Sequence, residues 1–242
     1  MLATLATAGA VTLAAGAYTY AAMSPTSQIF GRTIIGGPDP HEFALTYDDG
    51  PNDPYTQQLL DLLAEQNVRA TFFLIGRFVR RRPEIVRAIQ KAGHLIGNHT
   101  MTHPVLLFQS HRRVQDELKA CNAALEDVLG HPVRYFRPPH GARRPDVLRA
   151  ARELGLTSVL WNAMGYDWRP TTPEAVLANL QKGIRRNRKR GRGSNLLLHD
   201  GGQAGIGQDR RHTVLATASL LRSARDAGIR FVTVDAWAQT TD

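Results

Sequence analysis

The sequence predicts an α/β fold: a single domain built as an irregular seven-stranded (β/α) barrel, preceded by an apolar N-terminal segment. Three observations predict it. Short β-branched or aromatic runs alternate with longer stretches of helical periodicity, which argues for parallel strands joined by right-handed crossovers. Proline opens several of the helical stretches and glycine closes them, so each crossover has a defined start and stop. Polar residues collect just after the strands, and a barrel, more than an open doubly wound sheet, gathers such strand ends around one mouth.

At the N-terminus, residues 1–30 carry no charged side chain, and Leu2 to Met23 is rich in Ala, Leu, Val, Gly and Thr. That is about the length that crosses a bilayer. No Lys or Arg precedes the run, unlike a standard signal peptide, but Ala15-Gly16-Ala17 offers small residues for cleavage. Residues 1–31 therefore read as a signal or membrane anchor with a Ser-Pro-Thr-Ser linker at Ser24 to Ser27, and residues 32–242 as the domain. A weakly hydrophobic helix buried in the domain is the alternative. Export or anchoring would place the domain outside the cytoplasm, in a bacterial cell envelope.

Strands are predicted at Phe43 to Tyr47, Ala70 to Ile75, His94 to Gly97, Tyr135 to Arg137, Ser158 to Trp161, Asn195 to Leu198 and Arg230 to Val234. Helices are predicted at Pro54 to Gln66, Pro83 to Ala92, His111 to Leu129, Pro145 to Leu154, Pro173 to Ile184 and Thr213 to Ala227. Pro54, Pro83, Pro145 and Pro173 open helices where a missing amide donor is harmless. Gly93, Gly130, Gly155 and Gly228 close them, and Asp53 and Thr172 stand at N-cap positions.

The composition, 43% hydrophobic and 21% charged, is that of an ordinary globular protein and excludes both a disordered chain and a multi-span membrane protein. The net charge of +9 favours anionic surroundings such as acidic polymers or lipid headgroups. Much of it lies in Lys182 to Arg192, which reads as a solvated loop or helix end, or as a docking patch for an anionic polymer or membrane surface. No recognition motif or stacking aromatic accompanies the charge, so specific nucleic-acid binding is not expected. The single cysteine, Cys121, excludes an internal disulfide and reads as a small half-buried residue on a helix.

Chemistry concentrates at the strand ends. Thr46-Tyr47-Asp48-Asp49-Gly50-Pro51 puts two carboxylates at the end of a hydrophobic strand; adjacent side chains diverge there, so the two can serve a cation and a proton separately, although a turn alone could use both acids. His99-Thr100-Met101-Thr102-His103 can aim two imidazoles at one ion, from a helical turn or a tight turn, with Pro104 ending any helix. Two imidazoles and a carboxylate with open positions compose hydrolytic zinc sites and also non-haem iron oxygenase sites. Arg137-Pro138-Pro139-His140-Gly141, Gly165-Tyr166-Asp167-Trp168 and Leu196-Leu197-Leu198-His199-Asp200 add an arginine, an acid beside an aromatic, and another histidine.

Together these five ordered motifs resemble the polysaccharide deacetylase family, metal-dependent carbohydrate esterases that include chitin and peptidoglycan N-acetylglucosamine deacetylases. The resemblance runs from about Phe43 to Val234. It implies that Asp49, His99 and His103 bind a divalent metal, zinc first and cobalt second, that metal-bound water attacks an acetamide, and that Asp48 is the base, oriented by Arg137. His199, paired with Asp167, would protonate the leaving amine. The backbone N–H of His140 would help hold the oxyanion, and Trp168 with Leu197 would line the acetyl pocket. The implied partner is an acetylated glycan. Three positions depart from the family pattern: Tyr47 stands where Phe is commoner, His140 where Tyr is usual, and Met164 where many members carry an acid. O-deacetylation or small-amide hydrolysis at the same site, and glycan binding without catalysis, are the competing readings.

Overall fold

The structure, a computed structural model, describes residues 15–241, and for residues 239–241 the backbone alone. The apolar run before residue 15 lies outside the described residues. Eight strands and seven helices follow in the order β1 (Glu42–Gly50), α1 (Tyr55–Glu65), β2 (Thr71–Leu74), α2 (Gly76–Val79), α3 (Pro83–Lys91), β3 (Leu95–Asn98), α4 (His111–Leu129), β4 (Tyr135–Phe136), α5 (Pro145–Glu153), β5 (Thr157–Ser158), β6 (Ala163–Met164), α6 (Pro173–Arg188), β7 (Ser194–His199), α7 (Arg211–Asp226) and β8 (Arg230–Phe231). Residues 15–23 are also helical. Among the described residues no helix is long and apolar enough to cross a membrane.

All strand pairs are parallel, in the order β5-β4-β3-β2-β1-β7-β6, with β8 beside β1. One edge of β1 is taken by β7 along Phe43 to Asp48, so β8, paired at Glu42 and Phe43, extends the slot that β2 occupies from Thr46 onward. The sheet path thus has seven positions, as expected, but one of them is not an expected strand. No strand is expected at Ala163–Met164, since two residues carry no periodicity, and the strand expected at Ser158 to Trp161 is only Thr157–Ser158. Residues beyond Ser158 are held by Ile34, which bridges Val159 in parallel and accepts from the Leu160 amide at 2.8 Å.

Side-chain alternation divides inside from outside. Leu45 and Tyr47 of β1, Phe72 and Leu74 of β2, and Leu196 and Leu198 of β7 face the helices and form the main core. Ala44 and Phe73 point the other way, into a second cluster with Ile34, Val159 and Trp237. The curl of the sheet follows from one side chain. Arg137 leaves β4, three strand spacings or about 14 Å from β1 in a flat sheet. Yet its guanidinium donates to Asp48 on β1 at 2.7 Å and to Asn195 on β7 at 3.4 Å. Only a curled sheet brings those strands within an arginine's reach.

The helix signals held in part. Pro83, Pro145 and Pro173 occupy first-turn positions, and Thr172 caps α6 by accepting the Ala175 amide at 3.3 Å. Gly93, Gly130, Gly155 and Gly228 all sit at left-handed φ. Asp53 does not cap α1; it pairs instead with Arg82, and the cap position falls on Pro54 without a side-chain bond. Helix α6 runs on to Arg188, past the expected end at Ile184, so Arg185, Arg186 and Arg188 form its last turn, where cations complement the helix dipole. Cys121 is fully buried on α4.

The stretch expected to be a linker is tied to the domain. Arg143, 1% exposed, donates to the carbonyls of Ser24 (2.8 Å), Ser27 (2.7 Å) and Gly141 (3.0 Å), while its amide donates to the carbonyl of Ala22. Ala21 and Ala22 are correspondingly buried.

Candidate active site

The site lies at the C-terminal ends of the strands. On β1 the inward series Ala44, Thr46, Asp48 ends in a carboxylate, and on β7 the series Asn195, Leu197, His199 ends in an imidazole. Asp48 and His199 are register partners, so they enter the mouth side by side. The next residue, Asp49, would point outward in a regular strand. Instead it adopts φ 72° and the pairing with β2 shifts between Asp48 and Gly50, a bulge that turns the second carboxylate into the same mouth. His99 Nε2 consequently lies 3.7 Å from Asp48 Oδ2 and 3.4 Å from Asp49 Oδ1.

The two histidines come from an irregular turn after β3, not a helix. Asn98 Oδ1 accepts the Thr100 amide at 2.7 Å and Thr100 Oγ1 accepts the His103 amide at 3.0 Å, with Thr100 and His103 both at positive φ. Glu117, buried on α4, accepts from the Thr102 amide (2.8 Å) and hydroxyl (2.7 Å), pinning the loop from below. His99 Nδ1 lies 2.8 Å from the Arg137 carbonyl, which can only accept, so Nδ1 carries the proton and Nε2 presents its lone pair to the carboxylates.

Asp49 Oδ1 is buried and makes no hydrogen bond, while His103 Nε2 and His99 Nε2 converge on it at 3.1 and 3.4 Å. Burial opposes its charge, but His103 and His99 outweigh that and hold its carboxyl well below the ordinary carboxylate range. Ligand atoms of Asp49, His99 and His103 lie within 4.8 Å of one another. A buried carboxylate oxygen faced by the Nε2 atoms of two imidazoles is a donor set that a divalent cation satisfies, and the three residues fit such an ion.

Each of two further groups has its own buried partner. Arg137, with no exposed surface, stacks over Phe73 at 4.2 Å and donates through Nη1 to Asp48 Oδ1 (2.7 Å) and Thr46 Oγ1 (2.8 Å), and through Nη2 to the Leu160 carbonyl (3.2 Å). Asp48 is thus held by a guanidinium and is not consumed in an Asx-type turn. Asp167, equally buried, accepts from the ring Nδ1 of His199 (2.8 Å), the His199 amide (2.8 Å) and Thr213 Oγ1 (2.7 Å). Burial pulls the His199 pKa down, but the Asp167 charge and hydrogen bond, with Asp49 and Asp48 behind them, raise it to about 9.

The remaining expected residues also come together. His140 adopts φ 59° in a tight turn, with its ring 4.8 Å from that of His103. Trp168 packs edge-on to His199 at 5.5 Å and Leu197 is 3% exposed beneath. These line a cavity of about 400 Å³ with Asp48, Asp49, His99, His103 and His199. Sequence reasoning missed Met23, Pro25, Trp161, Met164, Gln208 and Arg210 in its walls. It also missed Thr213, placed just inside α7 because that helix starts at Arg211, and Asp200. Asp200 is fully buried beside the bulge, accepts from Thr56 Oγ1 at 2.5 Å, and leaves Oδ1 unpartnered; burial first, then the charges of Asp49 and Asp48, raise its pKa to about 7. Its place directly after His199 in an apolar strand was the available signal. The Tyr47 hydroxyl meets Thr217 Oγ1 on α7 at 3.1 Å, which accommodates that departure in the core.

Residues 36–159 match the family described as polysaccharide deacetylase. The chain is 37% identical over 193 residues to a peptidoglycan-N-acetylglucosamine deacetylase of Bacillus cereus, covering 79% of this chain and 85% of that protein. It is 40% identical over 162 residues to a chitooligosaccharide deacetylase of Sinorhizobium fredii, covering 65% and 71%. Among solved structures, the Bc1960 peptidoglycan N-acetylglucosamine deacetylase superposes with a TM-score of 0.77 at 29% identity, over 85% of this chain and 91% of that one.

Proposed function

This chain belongs to the polysaccharide deacetylase family, and on that premise we propose that it removes N-acetyl groups from amino sugars of a cell-wall or related glycan. The observation that carries the reading is the pair of separately partnered proton-transfer groups, Asp48 with Arg137 and His199 with Asp167, flanking the Asp49, His99 and His103 cluster. Two titratable groups whose environments differ in this way can hold a base and an acid apart at one pH.

A divalent cation held by Asp49, His99 and His103, zinc first and cobalt second, would supply Lewis acidity toward water and the acetamide carbonyl. Asp48 takes the proton of the water that adds to the carbonyl carbon, and Arg137 keeps that carboxylate aimed. The oxyanion needs a donor as charge develops. The amide of His140, a residue that lines the cavity, would be that donor. His199, its Nδ1 committed to Asp167, gives its Nε2 proton to the amine nitrogen as the carbon–nitrogen bond breaks, leaving acetate and a free amine. Trp168 and Leu197 enclose the acetyl methyl. The cell-wall and chitooligosaccharide glycans for which the relatives are named support an exported protein, with the apolar N-terminal run as signal or anchor ahead of the catalytic domain.

The test is acetate release by the purified protein, with zinc or cobalt added, from N-acetylglucosamine oligomers, peptidoglycan and acetylxylan. Release from the first two that chelator abolishes supports the reading. Release from acetylxylan alone would move the assignment to O-deacetylation. Tight glycan binding without release would make the protein a binder.

A further inference from the structure

Beside the catalytic cavity lies a second chamber of about 430 Å³ that shares Pro25, Trp161 and Met164 with it. One side is the segment Ser24 to Thr26, clamped by Arg143; the other is the face of α6 that carries Asn179, Lys182 and Arg186. Those three residues, spaced three and four apart, share one face of the helix. Gly183 seats that face against the sheet: a Cβ there would lie 2.5 Å from the Cβ of Ala163 on β6, so α6 lies too close to the strand for any side chain between them. Arg186 donates to the Asn162 carbonyl, and Asn179 to the Gly165 carbonyl at 3.1 Å, which ties the helix face to the loop around β6. No Asp or Glu lines the chamber, and among the described residues neither Lys182 nor Arg186 has an acidic partner within 4.0 Å. The residues shared with the catalytic cavity, Pro25, Trp161 and Met164, carry no charge, so nothing at the junction neutralises these cations.

Resting on the deacetylase reading above, we propose that this chamber is a carboxylate subsite, which seats an acidic substituent on the sugar next to the one deacetylated and so selects an anionic glycan over a neutral one. The two cavities share Pro25, Trp161 and Met164 in their linings and so lie side by side, placed for neighbouring sugars of one chain. The ammonium of Lys182 supplies a mobile cation and the guanidinium of Arg186 a fixed one. The whole-chain charge of +9 attracts any polyanion; the chamber is where one carboxylate is met at a set distance from the reacting acetamide.

The experiment compares acetate release from glycan strands alternating N-acetylglucosamine and N-acetylmuramic acid, with lactyl carboxylates free, against the same strands as methyl esters. The quantity read is the ratio of kcat/KM for acid over ester. The zinc-loaded full chain is expected to favour the acid. Lys182→Ala should lower the ratio about two- to fivefold, the range of a partly exposed ion pair, and Lys182→Arg should restore it. Lys189→Ala removes the same charge outside the chamber and should leave the ratio unchanged. Equal losses in Lys182→Ala and Lys189→Ala, or no preference in the parent protein, would overturn the subsite. If neither substrate releases acetate, the deacetylase reading fails; the chamber is then read by the affinity of the metal-free protein for acid and ester strands, where equal affinities overturn it.

Discussion

The two carboxylates Asp48 and Asp49 are chemically identical and adjacent, and they differ in what surrounds them: a guanidinium for one, two imidazoles for the other. If Asp48 is the base, Asp48→Asn should keep the fold and the ion yet lower kcat by roughly 10² or more, as loss of a positioned base does; an unchanged rate would reassign the base. Asp167→Asn removes the charge that raises the His199 pKa, so the variant's imidazole loses its proton at lower pH. With His199 as the proposed acid, the alkaline limb of the kcat/KM profile should move to lower pH, by about a unit or more. Asp200 behaves oppositely to a paired acid. Its folded pKa of about 7 lies above the unfolded value, so in the metal-free protein the native state binds the extra proton and stability falls as pH rises from about 4 to about 7. Asp200→Asn should flatten that fall and raise the melting temperature at pH 8 relative to the parent, as measured by thermal unfolding across pH.

At the scale of elements, the end of β1 is the decisive piece. Its bulge admits Asp49 to the mouth only because Gly50, next along, has no side chain: an added Cβ would sit 2.1 Å from Asp200 Oδ2. Gly50→Ala should therefore destabilise by about 2–4 kcal/mol in chemical denaturation, since the buried neighbour cannot swing into solvent. The His99 to His103 loop shows what sequence spacing conveys and what it does not. Histidines four apart announced a shared ion, but the backbone that achieves it is a pair of side-chain-capped turns with two residues at positive φ, supported by Glu117 from another helix. The same limit explains Ala163–Met164, a strand made by its neighbours β7 and α6 and invisible to any two-residue pattern.

For the molecule as a whole, ion binding and folding should be linked. The Asp49, His99 and His103 atoms come from the end of β1 and the loop after β3, so the site exists only in the folded state and an ion bound there stabilises it. Zinc at about a hundred times its dissociation constant adds about 2.7 kcal/mol, or roughly 5–10 °C in melting temperature for a chain of this size. Calorimetry should show that shift in the parent protein and lose it in His103→Ala. The basic tract from Lys182 to Arg192 belongs at this scale too: as the end of α6 it is a terminus that suits cations, and only packing against β6 and the Ser24 to Thr26 segment gives part of it a chamber to face.

The amino-acid sequence by itself determined the parallel α/β plan, the helix starts and stops at proline and glycine, and the residues that gather at the strand ends. These are properties of period, φ preference and strand order, which local chemistry encodes. Tertiary structure alone decided that Thr213 and Asp200 join the site and that Met23 and Pro25 wall its cavity. Those contacts join residues up to about 150 positions apart, or turn on curl and bulge. No local pattern carries such information, because it arises only when the sheet curls and its strand ends meet.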